Sequence, residues 1–418
     1  IDPERTASIL TDATDAVLGG ALTVATGLVI AQRDGVEAVA GGFGADGCWE
    51  AALARHAVVA MGRLGGREIG YASDADVLFV HEARDGADDA AAAQEAEAVA
   101  KQVVGLLASA RPHPLEVDSD LRPEGRQGVM SRSLAAYGEY YGRWAALWER
   151  QALLRARACA GDRELGGRFE ELINPLRWAE GGLSTQDLRE IRRIKARVET
   201  ERLPRGINPV RHLKLGPGGL SDVEWSAQVL QLAHAGQITG LRTTSTIAAL
   251  QAAVQGGLLS ADDGGVLVAA WILASRLRCA IVLGTGRASG PRSQVLPVQI
   301  REIRLVGRLI GLGSGREREL EDIYRRSARH TRAVAERIVF ADGGGVQESP
   351  SSASSPSTST SAARDQAPSS APDRSAAPAG KTRKRPRRDA GTTGTMRSRG
   401  TGRNRATRRR PEGPYPWS

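Results

Sequence analysis

Cysteine is scarce in this sequence. Cys48, Cys159 and Cys279 stand far apart and form no CxxC pair. That excludes a disulfide scaffold and a cysteine-based zinc site, and it suits a reducing cytoplasm. The six histidines show no metal-ligand spacing; His212, beside a glycine loop, reads as structural. Nothing at the start has the pattern of a signal peptide. Also missing is the uninterrupted apolar run of about 20 residues that a membrane span needs. The segment Ala16–Ala31, "AVLGGALTVATGLVIA", is shorter and holds three glycines, while Gly265–Gly284 is broken by Arg276 and Arg278. Both read as buried helices, and the expected localisation is cytoplasmic, with no membrane partner.

A global field of one sign is lacking too, although the formal net charge is +9. From Gly343 to Ser418 there are 15 Lys and Arg against 5 Asp and Glu, which leaves 42 basic and 43 acidic residues in the rest. The basicity belongs to the tail. Nucleic acid is therefore expected as a partner only non-specifically, through clusters such as "KTRKRPRR".

What the chain does have falls into four parts. The first, 1–56, is a helical and linker lead-in that starts without Met, so a fragment of a longer protein is expected. Thr11 or Asp12 is the candidate cap of its helix. In 57–130, "AVVAM", "ADVLFV" and "HPLEVDSDLRP" read as strands, with a long helix between the second and third. From 131 to 342 nearly everything has helical periodicity, including "LAAYGEYYGRWAALWERQALLRARACA". Ser221 and Glu224 there suggest a capping box. The remainder, 343–418, is rich in Ser, Pro and Arg and is expected to be disordered. The fold class is thus α+β: an α/β domain, then a helical bundle, then a basic tail.

The chemistry concentrates in "MGRLGGREIGYASDADVLFV", Met61 to Val80. Side chains alternate along a strand, so Asp74 and Asp76 share one face, about 7 Å apart. Carboxylates so placed suit a hard divalent cation such as Mg²⁺ together with substrate phosphates. Glycines let a backbone approach phosphate closely, which makes Gly65 and Gly66 a candidate cradle, and Ser73 adds a hydroxyl donor. A third carboxylate is needed, and "EVDSDLRP" offers Asp118, with Asp120 on the same face as its competitor. The loop "KLGPGG", Lys214 to Gly219, reads equally well as an anion site or as a plain helix start. Asp222 and Glu224 suit the first turn of the helix that follows. Arg155 and Arg157 are minor candidates for a phosphate or an acidic partner surface.

Four stretches, "MGRLGGREIGYASDADVLFV", "VDSDLRPEGRQG", "WERQALLRARACAGD" and "HLKLGPGGLSDVEW", together resemble the glutamine-synthetase adenylyltransferase/adenylyl-removing family over about residues 8–340. The resemblance implies a polymerase-β-like nucleotidyltransferase fold. It also implies ATP as substrate, with Mg²⁺ held by Asp74, Asp76 and Asp118 and the triphosphate at Gly65, Gly66 and Ser73. The third stretch is similar to the carboxy-terminal, adenylylating copy of these two-copy enzymes, and only one copy is present. Asp120 stands where many relatives carry Arg. The implied reaction is AMP transfer from ATP to a tyrosine hydroxyl of glutamine synthetase, releasing pyrophosphate. Glutamine synthetase is the implied protein substrate, and a nitrogen-signalling protein the implied regulator. The rival readings are phosphorolytic removal of AMP and a non-catalytic regulatory module.

Overall fold

The structure is a computed structural model that describes residues 1–35, 49–288 and 290–340. Most of the Gly-rich lead-in and the whole tail from 343 lie outside the described residues, and the disorder expected of that tail with them.

The first helix, α1 (Pro3–Asp34), starts where sequence chemistry favours a start, though not at Thr11 or Asp12. Asp2 caps it by accepting the Glu4 and Arg5 amides, Pro3 fills the first turn, and Gly35 ends it in the left-handed conformation. Thr11 is buried within the helix, its hydroxyl bonded to the Ala7 carbonyl at 2.7 Å. There follow β1 (Ala54–Ala60), a single helical turn at Gly62–Gly65, β2 (Ala75–Ala83) and α2 (Asp89–Ser109). Next come β3 (Val117–Asp118), β4 (Ser131–Ser133), α3 (Leu134–Trp144), α4 (Leu147–Leu153), β5 (Arg157–Gly161) and α5 (Arg163–Arg177). The rest is helical: α6 (Thr185–Glu201), α7 (Leu220–His234), α8 (Thr246–Gln255), α9 (Ala261–Thr285), α10 (Ile300–Leu309) and α11 (Leu320–Ala335). The architecture is α+β, mostly helical with one small mixed sheet.

The sheet runs β3-β2-β1-β5, and β4 shares the β3 edge of β2. β1 is antiparallel to both neighbours, whereas β3 and β4 run parallel to β2. Because β1 and β2 alternate sides, they feed two cores. Val58, Ala60, Val77 and Phe79 pack with Leu18 and Leu22 of α1 and Val99 and Val103 of α2. Val59, Leu78 and Val80 pack on the other face with Tyr137 and Tyr141 of α3 and Phe169 of α5. Full burial of each such side chain contributes about 1.5–3 kcal/mol. The tyrosines of the 137–148 aromatic stretch therefore belong to the core.

Two departures from the sequence reading matter. Arg157–Gly161 was expected to continue a helix, but it pairs with β1 as a strand. Its alanines and arginine favour helix locally, and an open edge of β1 overrides that preference. The third strand was expected over 113–123 but keeps only two ladder residues. Pro112 and Pro114 have no amide to donate upstream, and downstream Arg122 and Gly125 close turns onto Ser119 and Arg122.

Both long apolar helices, Pro3–Asp34 and Ala261–Thr285, meet the length and composition of a membrane span. Each nevertheless buries a face in the protein. α1 covers the sheet and exposes Ile9, Val17 and Val24 on its other side, while α9 places Leu267, Trp271, Leu277 and Ile281 in the largest helical core.

Candidate active site

The parallel register of β2 with β3 sets Asp76 directly beside Asp118. Asp74 lies just before β2 and points to the same side as Asp76. One oxygen from each of the three carboxylates lies within 4.8 Å of the others, the tightest acidic group among the described residues. Asp120, the competitor for the third place, is turned away. It accepts from Arg126 at 2.7 Å and lies 3.7 Å from Arg122, so two guanidinium groups neutralise it. Asp118 instead braces the turn, its Oδ1 accepting the Asp120 amide at 2.8 Å.

Three carboxylates this close resist ionising together. Burial, then Asp74, push the Asp76 carboxyl up to about 7; Lys214 opposes the rise, and Asp118 and Glu224 add to it. A hard divalent cation would relieve that repulsion. The donor set, oxygen only and partly open to solvent, fits Mg²⁺ with part of its shell left for water or phosphate.

The glycines divide the work differently from the expectation. The Gly65 and Gly66 amides are already engaged by the Met61 and Gly62 carbonyls, at 2.7 and 3.2 Å. A Cβ on Gly65 would sit 1.7 Å from the Arg155 carbonyl oxygen, and one on Gly66 would sit 2.2 Å from Arg155 Nη1. This pair makes room for the chain entering β5. The glycine at the acidic edge is Gly62, where φ is +50° and a Cβ would fall 2.2 Å from Asp76 Oδ2. The amides that open the turn, at Gly62 to Leu64, precede its first helical hydrogen bond, that of the Gly65 amide to the Met61 carbonyl. Ser73 Oγ accepts the Gly70 amide at 3.2 Å and shapes the loop into β2.

Arg155 and Arg157 are both engaged within the fold. Arg155 binds Glu68 at 2.6 Å and the Thr244 carbonyl at 3.0 Å, and Arg157 forks onto Asp15 at 2.9 and 3.1 Å. Asp222 is buried, paired with Lys195 at 2.5 Å and accepting the Gly218 amide at 2.7 Å. The capping box does not form: α7 begins at Leu220 with Gly219 as its cap. The buried His212 ring accepts the Lys214 and Leu215 amides and so holds the "KLGPGG" loop in shape.

That loop supplies what the sequence reading left undecided. Burial lowers Lys214 below the usual lysine range, and its neighbours in the charge field are Glu224, Arg278, Asp76 and Asp74. Glu224 has no hydrogen-bond partner among the described residues, and it acts on Lys214, Arg278 and Asp76. The helical part thus adds a cation and a carboxylate beside the sheet's three aspartates. In the sequence the glycine loop pointed to Lys214, while Glu224 stood out only as an acid in the first turn of a helix.

Residues 4–172 match the family model described as glutamate-ammonia ligase adenylyltransferase. Residues 190–339 match that described as GlnD PII-uridylyltransferase. Among curated proteins, the chain is similar to bifunctional glutamine synthetase adenylyltransferase/adenylyl-removing enzymes. The Streptomyces coelicolor protein is 53% identical over 289 residues, which is 69% of this chain and 28% of that protein. The Nocardia farcinica protein is 48% identical over 291 residues, 69% of this chain and 29% of its own length. For the Mycolicibacterium smegmatis protein the values are 49% over 287 residues, 68% and 28%. The chain therefore spans a little over a quarter of the length of these relatives.

Proposed function

Residues 4–172 of this chain belong to the glutamate-ammonia ligase adenylyltransferase family, and from that premise we propose that it is a nucleotidyltransferase that moves AMP from ATP to a tyrosine hydroxyl of glutamine synthetase. The observation that carries this reading is the meeting of Asp74, Asp76 and Asp118 at one sheet edge. A two-strand edge bearing three carboxylates, entered through a glycine turn, suits a polymerase-β-like nucleotidyltransferase domain, its sheet reaching past the expected limit of 130 to include β4 and β5, followed by the helical bundle.

In the proposed reaction the tyrosine oxygen bonds to the α-phosphorus, the bond to pyrophosphate breaks, and the hydroxyl proton passes to a carboxylate. Asp74 and Asp76 hold the cation, Mg²⁺, which supplies charge neutralisation on the phosphates. Asp118 completes the cage and faces the incoming hydroxyl. Gly62 leaves space for the Asp76 carboxylate, and the opening amides of its turn, with Ser73, position the phosphates. Lys214 answers the negative charge that grows toward the leaving group. Catalysis is mostly positioning and charge complementarity.

Labelled ATP, Mg²⁺ and purified glutamine synthetase should yield label on the target. Asp76→Asn should abolish transfer while leaving the melting temperature unlowered, since it removes a repelled charge. Transfer near the wild-type rate by that variant would overturn the assignment. The relatives' names also include adenylyl removal. Release of ADP from adenylylated glutamine synthetase and inorganic phosphate would favour that direction for this copy. The match of 190–339 to a PII-uridylyltransferase model supports a nitrogen-signalling protein as regulator.

A further inference from the structure

Beside the acidic edge lies a cavity of about 410 Å³ that none of the three aspartates lines. The loop Gly66–Ala72 forms one wall and α9 the opposite one. Its charged lining is Glu4, Arg63, Arg67, Glu68 and Arg278; Arg67 is paired with Asp12 at 2.6 Å and Glu68 with Arg155 at 2.6 Å, which leaves the guanidinium groups of Arg63 and Arg278. Arg63 donates through Nε to the Glu68 carbonyl and lies over the Trp271 ring at 5.0 Å, but its buried Nη1 has no partner. Arg278 has no hydrogen bond or ion pair among the described residues. Burial, then Arg63, push it down to about 10. Ser275 Oγ and Gln294 Oε1, both on the cavity wall, are buried without partners as well. Trp271 and Ile69 supply apolar surface.

Two like charges side by side, neither in contact with an anion, are costly, and Glu224 and Asp74 reach Arg278 only through the field. A fold that packs its core this well has the means to separate them. Instead it leaves both facing one small cavity, alongside a free hydroxyl and a free amide oxygen. The ligand that answers this inventory carries an anionic group for the two arginines, a donor for Gln294 and an apolar body for Trp271. We propose that this cavity binds a small organic anion, its carboxylate or phosphoryl group held between Arg63 and Arg278. The loop it touches runs straight into Asp74, so occupancy would be felt at the acidic edge. None of the cavity residues is an aspartate of that edge, although Arg63 belongs to the turn that opens toward it.

The test is isothermal titration of the whole chain with sodium pyrophosphate and, separately, with sodium benzoate, in EDTA so that no cation bridges the aspartates. At least one probe should bind in the sub-millimolar range. Arg278→Met should weaken it by about tenfold or more, and Asp76→Asn should leave it unchanged. Ser275→Leu, which fills the cavity without altering charge, should lose binding too and serves if the arginine variant fails to fold. Pyrophosphate alone binding would make the anion the phosphate end of a nucleotide; benzoate binding would make it a separate carboxylate. Absence of binding by both probes, or wild-type binding by Arg278→Met and Ser275→Leu, would overturn the proposal.

Discussion

Gly62 and Asp76 compete for the same space. Only the missing side chain at 62 lets the Asp76 carboxylate stand where it does. Gly62→Ala should therefore act on the site: Mn²⁺ affinity, followed by electron paramagnetic resonance, should fall at least about tenfold. The stability loss should be about 1–3 kcal/mol for the left-handed backbone. Gly65→Ala should act on the fold instead, because its Cβ meets the Arg155 backbone. Its thermal transition should drop sharply, and any folded fraction should keep wild-type Mn²⁺ affinity. A Gly65→Ala protein that folds normally and keeps Mn²⁺ but loses ATP affinity would restore this pair as the phosphate cradle. At this scale Asp74 and Asp76 were legible directly, since their spacing alone puts them on one face. It could not separate Asp118 from Asp120, because residues two apart share a face; that took the ladder register and the arginines around Asp120.

Among the elements, β1 and β2 place His56 and His81 as cross-strand partners. His81 Nδ1 lies 2.9 Å from Ser131 Oγ on β4. Burial holds both rings neutral. His56 is pushed down to about 3, helped by His81 and Arg84, and His81 down to about 4, against a pull from Glu97. The unfolded chain takes up these protons below about pH 6.5 and the folded sheet does not, so stability is full above that value and falls as pH drops toward 4. Each histidine should cost about 2 kcal/mol by pH 5. Urea midpoints at pH 7.5 and 5 should show it, and His56→Gln should flatten the difference. An unchanged pH slope in that variant would contradict the burial argument. The long, strongly patterned elements were readable from sequence: β2, α2 and α9 fall close to where periodicity put them. Of the short ones, β3 was expected as a strand but longer, and β4 and β5 were not expected; they have too few residues to show a pattern, and they exist because β1 and β2 offer edges to pair with.

For the molecule as a whole, a buried polar cluster is among the contacts where the sheet and the later helices meet. Glu68, in the loop after the glycine turn, accepts from Arg155 at 2.6 Å and from the Thr246 amide and hydroxyl at 2.6 and 2.8 Å. This carboxylate thereby caps the start of α8. Glu68→Gln should lower stability by about 3–5 kcal/mol, because Arg155 would be left buried without its anion. Replacing both, as Glu68→Leu with Arg155→Met, should recover part of that loss in the same denaturation assay. If the single variant costs nothing, the cluster does not join the two parts. The sequence reading offered Lys214 within a candidate anion loop and Glu224 as a first-turn acid, but it could not bring them or Arg278 to Asp74 and Asp76, which are far away along the chain.

That separation also has a direction. A ribosome releases the three aspartates first, then Lys214, and Arg278 last, while domains form from the amino-terminal side during synthesis. The sheet edge is thus finished while its cationic counterpart is still untranslated. A nascent chain, or one cut short before α9, carries the acidic residues without the basic wall, and full competence arrives only with nearly the whole described protein.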